Sequence, residues 1–92
     1  MGRTEKRLFA IADQLQVLAG EEQQLQTELD HHRDMADDIE RDAAISDGQF
    51  DRLEAGLARA DVSRFQKRLD EIRRRRAKLE ATRTRLLSKL NT

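Results

Sequence analysis

The segment AAISDGQF, residues 43–50, divides the 92-residue chain into two stretches in which leucine and other apolar residues recur at helical intervals. Gly48 lies in this segment, and glycine most easily adopts the positive φ values that a tight connection requires. Ser46 and Asp47 precede it, and both residue types are frequent N-caps of a following helix. We therefore predict a turn at about residues 46–49 that joins two helices.

Both flanking stretches have a heptad pattern. With Leu8 in position a, nine of the twelve a and d positions in residues 8–46 are apolar, and in residues 62–90 seven of nine are apolar. Intervals of three and four residues place one apolar stripe along one face of a helix. The chain contains no proline to interrupt either stretch. The pattern predicts long helices at about residues 4–45 and 50–90.

The beginning of the second helix is less regular. Gln49 completes the capping-box spacing with the serine of the turn. Phe50, Leu53 and Leu57 have helical spacing but do not continue in phase into the later register. We therefore expect either a continuous helix or a kink or short extra helix near residues 56–62.

The distribution of charge favours a chain that folds back on itself. Residues 1–46 contain 5 basic and 11 acidic side chains, a net charge of −6, and residues 47–92 contain 13 basic and 7 acidic, a net charge of +6. A parallel dimer of unbroken helices would place like charges side by side, whereas an antiparallel hairpin places opposite charges together. Each pair contributes only about 0.3–0.5 kcal/mol, but several pairs together select the hairpin.

Two polar features fall within the predicted seam. Glu22 and Arg76 occupy a positions, and a turn near residue 49 brings them opposite each other, which predicts an ion pair that fixes the register. His32 occupies a d position. One interpretation is a partly buried histidine that a narrow core tolerates. The other is a pH-sensitive position, because burial disfavours the charged form of His32 whereas Glu28, one turn earlier, favours it.

Glu28 and His31 have the Glu-x-x-His spacing of carboxylate-bridged iron sites, which a two-helix chain would complete by dimerising. His31, however, falls in a solvent-facing c position, and the second helix offers mostly arginine. We therefore predict neither a metal site nor a cofactor.

Acidic residues gather around the predicted turn, and Asp42, Asp47 and Asp51 are the nearest to it. A long antiparallel hairpin with an acidic tip is similar, in general shape and charge, to the bacterial transcription factors that enter the secondary channel of RNA polymerase. The similarity implies that these three aspartates would act near a magnesium ion. The alternative is that they solvate the turn and cap the helices.

The densest basic feature is the run of four arginines from Arg73 through Arg74 and Arg75 to Arg76. One helical turn points four consecutive side chains in different directions, so the run predicts a solvated face that pairs with the acidic helix. The alternative is phosphate contact with nucleic acid. A net charge of zero and the absence of Tyr and Trp make that alternative the weaker one.

A two-helix seam buries little apolar area and has no room for a substrate pocket, so we expect a homodimer, such as a four-helix bundle, and no enzyme activity. No stretch is long and apolar enough for a membrane span, which predicts a cytoplasmic protein.

We predict an all-α, antiparallel coiled-coil hairpin that acts as a protein–protein interaction module. A regulator of bacterial RNA polymerase is the alternative, and a nucleic-acid binder is third. The off-seam apolar residues that we expect to form a second contact surface are Phe9, Val17, Met35, Ile45 and Leu87.

Overall fold

The computed structural model describes residues 2–91 and confirms an all-α helical hairpin. Helix α1 comprises Arg3–Ser46, and helix α2 comprises Gln49–Leu90. The two helices pack against each other, and no strand is present in residues 2–91. The heptad residues therefore form the elements that their spacing predicts.

The connection consists of Asp47 and Gly48, and it differs from the predicted turn in which residue takes the positive φ. Asp47 has a φ of 51°, whereas Gly48 has no positive φ. Aspartate tolerates this left-handed conformation better than most residues because its short side chain bonds locally. Its backbone N–H donates to the Ala43 carbonyl (2.9 Å), and its carboxylate accepts from Arg52 (2.8 Å).

The predicted capping box does not form. Ser46 is the last residue of α1, and its hydroxyl bonds the carboxylate of Asp51 instead of the backbone of Gln49. Gly48 occupies the N-cap position of α2, because its carbonyl accepts the first helical bond, from the Arg52 amide (3.1 Å). Ser46 lies two residues before the N-cap position and is therefore too early to cap α2.

Helix α2 is unbroken through residues 56–62, so the short extra helix that the sequence left open does not form. Ala55 and Ala58 are half-buried and continue the three–four spacing backwards from Val62. Phe50, Leu53 and Leu57, which suggested a change of phase, lie off this stripe and are exposed.

Contacts along the chain divide it into two compact units. Unit 1 joins the beginning of α1, up to Gln23, to the end of α2, from Asp70 onward. Unit 2, Gln24–Leu69, contains the turn and the helical segments on either side of it. The buried core residues of unit 1 are Ile11, Leu18, Ile72 and Leu86, and those of unit 2 are Leu25, Leu29, Ala36, Ala43 and Leu69.

The turn geometry predicts an unusual ranking of substitutions. Asp47→Val is expected to lower the free energy of unfolding by about 1–2 kcal/mol, because a β-branched residue is strained at positive φ. Gly48→Ala is expected to change it by less than about 0.5 kcal/mol, since an added Cβ would meet nothing closer than 3.4 Å and φ is ordinary there. Urea denaturation of both variants checks this ranking, and a larger loss for Gly48→Ala would contradict it.

Candidate interaction surface

Within unit 1, one glutamate is held by two arginines across the helix pair. Arg76 donates to Glu22 with a 2.7 Å bond to Oε2, and Arg73 lies beside the same carboxylate at 3.7 Å. The Glu22 side chain is only 18% exposed, whereas that of Arg76 is 37% exposed. The pair therefore lies at the edge of the seam, where the guanidinium still reaches solvent.

The four arginines of the basic run point in different directions. Arg76 hydrogen-bonds Glu22, and Arg73 forms a longer ion pair with the same carboxylate. Arg75 lines a groove in unit 1, and Arg74 is exposed and forms no ion pair with any described residue. The run is not gathered into one basic patch, and nucleic-acid binding through it stays a prediction.

Within unit 2, one side of the helix pair is polar and ion-paired. Arg59 bonds both Asp37 (2.6 Å) and Glu40 (2.8 Å), and Arg33 donates to Gln66 (2.7 Å). All five residues occupy heptad positions b and e when Leu8 and Val62 are taken as a positions of α1 and α2. We call this the b/e side.

The pKa of the Glu40 carboxyl is lowered, chiefly by the hydrogen bond from Arg59 and further by the charge of that guanidinium, although burial opposes the shift. The same bonds raise the pKa of Arg59. A carboxylate with a lowered folded-state pKa stabilises the fold above the unfolded-state pKa of about 4.3, and this contribution is lost as pH falls through the folded value.

Acidification is therefore expected to lower the melting temperature of the wild type more than that of Arg59→Gln, because the variant has already lost the hydrogen bond that lowers the pKa of Glu40. Thermal melts at pH 7 and pH 3 measure the difference. Arg74→Gln is the control, since Arg74 has no ion-pair partner in residues 2–91 and its loss should leave the pH dependence unchanged. Equal pH dependence in wild type and Arg59→Gln would contradict the assignment.

His32 is half-buried in unit 2 and stacks on Phe65, with ring centroids 4.5 Å apart and ring planes at 23°. Its neighbour His31 is exposed, with its ring 5.9 Å from that of His32. His32 therefore fills the seam as a flat, partly apolar side chain. Its pH sensitivity stays a prediction.

The acidic residues near the turn are engaged with different neighbours. Asp47 accepts from Arg52, Asp51 bonds Ser46, and Asp42 lies exposed on α1. In the described part of the chain, no group of three or more His, Cys, Asp or Glu side chains is arranged to hold a metal ion. An action of these three aspartates near magnesium stays a prediction.

The opposite side of unit 2, at heptad positions c and g, is apolar. Ile45, Phe50 and Leu57 occupy c positions and are 85%, 75% and 62% exposed. Met35, in a g position, lines one groove together with Leu57, and the acidic side chains of Glu54 and Asp61 border that groove. We call these residues, Met35, Ile45, Phe50 and Leu57, the apolar side of unit 2.

Near the turn, unit 2 has large apolar side chains on its surface and alanines in its seam, whereas farther from the turn Leu25, Leu29 and Leu69 fill the seam. Ala36 and Ala43 are buried and Ala55 and Ala58 half-buried, whereas Phe50 is three-quarters exposed. A chain that needed only the hairpin would place phenylalanine and leucine inside, because each buried large side chain contributes about 1.5–3 kcal/mol. The outward placement leaves this apolar area exposed.

Sequence reasoning identified Met35 and Ile45 as off-seam residues but did not place Phe50 and Leu57 with them. Extending the register of α2 backwards from Val62, by four and then three residues, gives Ala58 and Ala55. That step would have shown that the larger residues fall outside the seam.

Unit 1 also exposes apolar side chains. Val17 (position c) is 61% exposed and lines a groove with Leu18 and Leu79, bordered by Arg75. Phe9 and Leu87, in b and e positions of unit 1, are exposed as well. The off-seam residues predicted from the sequence are all on the surface.

Neither helix offers, within residues 2–91, a stretch of sufficient length and apolarity to span a membrane. Comparison of the chain with protein-family models, with curated proteins and with solved structures gave no match.

Proposed function

We propose that this protein is a non-catalytic coiled-coil interaction module. It binds protein partners, and first of all a second copy of itself, through the apolar side of unit 2. The observation that carries the proposal is the arrangement of side chains by size near the turn: alanines line the seam there, while Ile45, Phe50 and Leu57 lie on the surface. Contiguous exposed apolar residues with a polar rim are typical of protein contact sites.

The composition of the two sides supports the same proposal. On the b/e side of unit 2, polar groups satisfy one another through Arg59 and its two carboxylates. On the apolar side, Asp42 and Glu54 border the exposed residues, and neither carboxylate has a hydrogen-bond or ion-pair partner among the described side chains. Of the two sides of unit 2, it is the apolar side that combines exposed hydrophobic area with carboxylates that have no ion-pair partner in residues 2–91, so this side gains more from a partner.

Self-association is the simplest use of this surface. A two-helix chain of 92 residues buries a thin core, and small folds of this kind commonly gain stability by oligomerising. We expect the wild-type chain to be a dimer at micromolar concentration.

The test is sedimentation equilibrium of the wild type and of two leucine variants. Leu57→Ser is expected to weaken dimerisation by at least about tenfold, because Leu57 lies on the apolar side. Leu53→Ser is the matched control: Leu53 is 63% exposed against 62% for Leu57, but it occupies an outer f position at the border of the apolar side, next to Phe50, so its loss is expected to weaken dimerisation less. A wild type that is monomeric at all concentrations, or equal effects of the two substitutions, would contradict the proposed function.

A further inference from the structure

The two units carry opposite net charges. Unit 2 contains 7 basic and 11 acidic side chains, a net charge of −4, and the rest of the chain, which forms unit 1, contains 11 basic and 7 acidic, a net charge of +4. A second copy of the chain therefore presents one unit that repels unit 2 and one that attracts it.

The imbalance lies mainly at positions c and g, the positions of the apolar side. In the helices of unit 2 these positions hold 5 acidic and 2 basic residues, a net charge of −3, and in unit 1 they hold 2 acidic and 6 basic, a net charge of +4. In contrast, the b and e positions of the unit 2 helices hold 3 acidic and 3 basic residues. The charge that a partner would meet thus coincides with the exposed apolar side chains.

Several of these charges have no partner within the described chain. Asp42 and Glu54 of unit 2 form no ion pair with residues 2–91, and the same holds for Arg75, Lys78 and Arg85 of unit 1. Both sets lie at c or g positions, and Arg75 borders the groove that contains Val17. The groove around Val17 in unit 1 is lined by Arg75 together with Asp13 and Glu21, but the c and g positions of unit 1 as a whole are net basic, whereas those of unit 2 are net acidic.

We propose that the partner covering the apolar side of unit 2 is unit 1 of a second copy of this chain, which docks through its c and g positions with opposite charge. This inference rests on the proposed function and adds the identity and orientation of the partner. Pairing of unit 2 with another unit 2 would bring two net charges of −4 together, which like-charge repulsion disfavours.

Charge reversal followed by mixing tests the orientation. One variant carries Asp42→Arg and Glu54→Arg, and the other carries Arg75→Glu and Arg85→Glu. Each alone is expected to dimerise at least about tenfold more weakly than the wild type, because the net charge at the c and g positions changes from −3 to +1 in unit 2 of the first variant and from +4 to 0 in unit 1 of the second. An equimolar mixture is expected to associate several-fold more strongly than either variant alone, since a mixed dimer again joins an unaltered unit 2 to an unaltered unit 1 and its two altered units do not repel.

The controls use outward f positions. Asp34→Arg and Arg74→Glu make the same charge changes at exposed residues without ion-pair partners in the described chain, and both should leave dimerisation unchanged. Circular dichroism verifies that every variant remains helical. If a double variant loses helix, the single reversals Glu54→Arg and Arg75→Glu replace it in the same mixing experiment.

The outcomes separate the inference from the proposed function. The proposed orientation is overturned if sedimentation equilibrium shows that mixing the two charge-reversal variants does not restore dimerisation. It is also overturned if the wild type restores dimerisation of a variant better than the complementary variant does. In both cases a Leu57-dependent dimer would remain. Unchanged dimerisation of both reversal variants also overturns it. A monomeric wild type contradicts the inference and the proposed function together.

Discussion

Leu69→Ala is expected to lower the free energy of unfolding by about 2–5 kcal/mol, which is a large part of the stability of so small a fold. Leu69 is 1% exposed and lies in the core of unit 2, together with the buried Leu25 and Leu29 of α1. A seam of only two helices has few other side chains that could move into the space that a lost leucine leaves. The cost should therefore include both the lost burial and the cavity.

Urea denaturation followed by circular dichroism measures this loss, at one fixed protein concentration because dimerisation would make stability depend on concentration. Leu53→Ala removes the same atoms from an exposed position (63%) and should change the free energy by no more than about 0.5 kcal/mol. Comparable losses for the two variants would mean that Leu69 is not a core residue.

Arg76→Ala is expected to lower the free energy of unfolding by about 1–2 kcal/mol. The variant leaves the largely enclosed Glu22 carboxylate without its hydrogen bonds, and the remaining arginine, Arg73, is 3.7 Å away. The double variant Glu22→Leu/Arg76→Leu is expected to equal or exceed the wild type. Apolar side chains would then extend the seam, and replacing an enclosed ion pair by packed hydrophobic residues is often stabilising.

The same denaturation assay compares wild type, the Arg76→Ala single variant and the double variant. Arg74→Ala controls for the loss of an arginine from an exposed helical position. If the double variant were as unstable as Arg76→Ala, the ion pair would contribute net stability to the seam instead of fixing its register.

Much of the fold was predictable because the heptad pattern acts on long segments. Nine apolar a and d positions in α1 tolerate interruptions such as Glu22, and the opposite charges of the two halves excluded the parallel arrangement. A turn near residue 49 predicted that Glu22 lies opposite Arg76, and in the structure these two side chains form a hydrogen bond. Long-range pairing followed from one well-defined turn.

The turn was predictable only in position. Gly48 suggested the positive φ because glycine has the weakest steric restriction, but the structure assigns that φ to Asp47. Which of two adjacent residues takes a left-handed conformation depends on local bonds, here those of Asp47 with Ala43 and Arg52, and these are not encoded in the composition of the turn.

The candidate surface was predictable only in part for a different reason. Met35 and Ile45 were off-seam in the register of α1, but Phe50 and Leu57 have a spacing that imitates a seam of their own. Periodicity reports which residues share a face and gives no information about which face is buried. Packing decided this, because α1 presents Ala36 and Ala43 where the helices meet near the turn.

The central claim is that each chain folds back on itself, and a distance between two spin labels tests it most directly. The chain has no cysteine, so Arg33→Cys and Gln66→Cys introduce the only labelling sites, at positions whose side chains bond across the helix pair. Double electron–electron resonance on labelled protein diluted with unlabelled chain reports the distance within one molecule. Adjacent helices predict about 20 Å or less between the labels. A distance of roughly 50 Å, which 33 residues of uninterrupted helix would span, would contradict the hairpin.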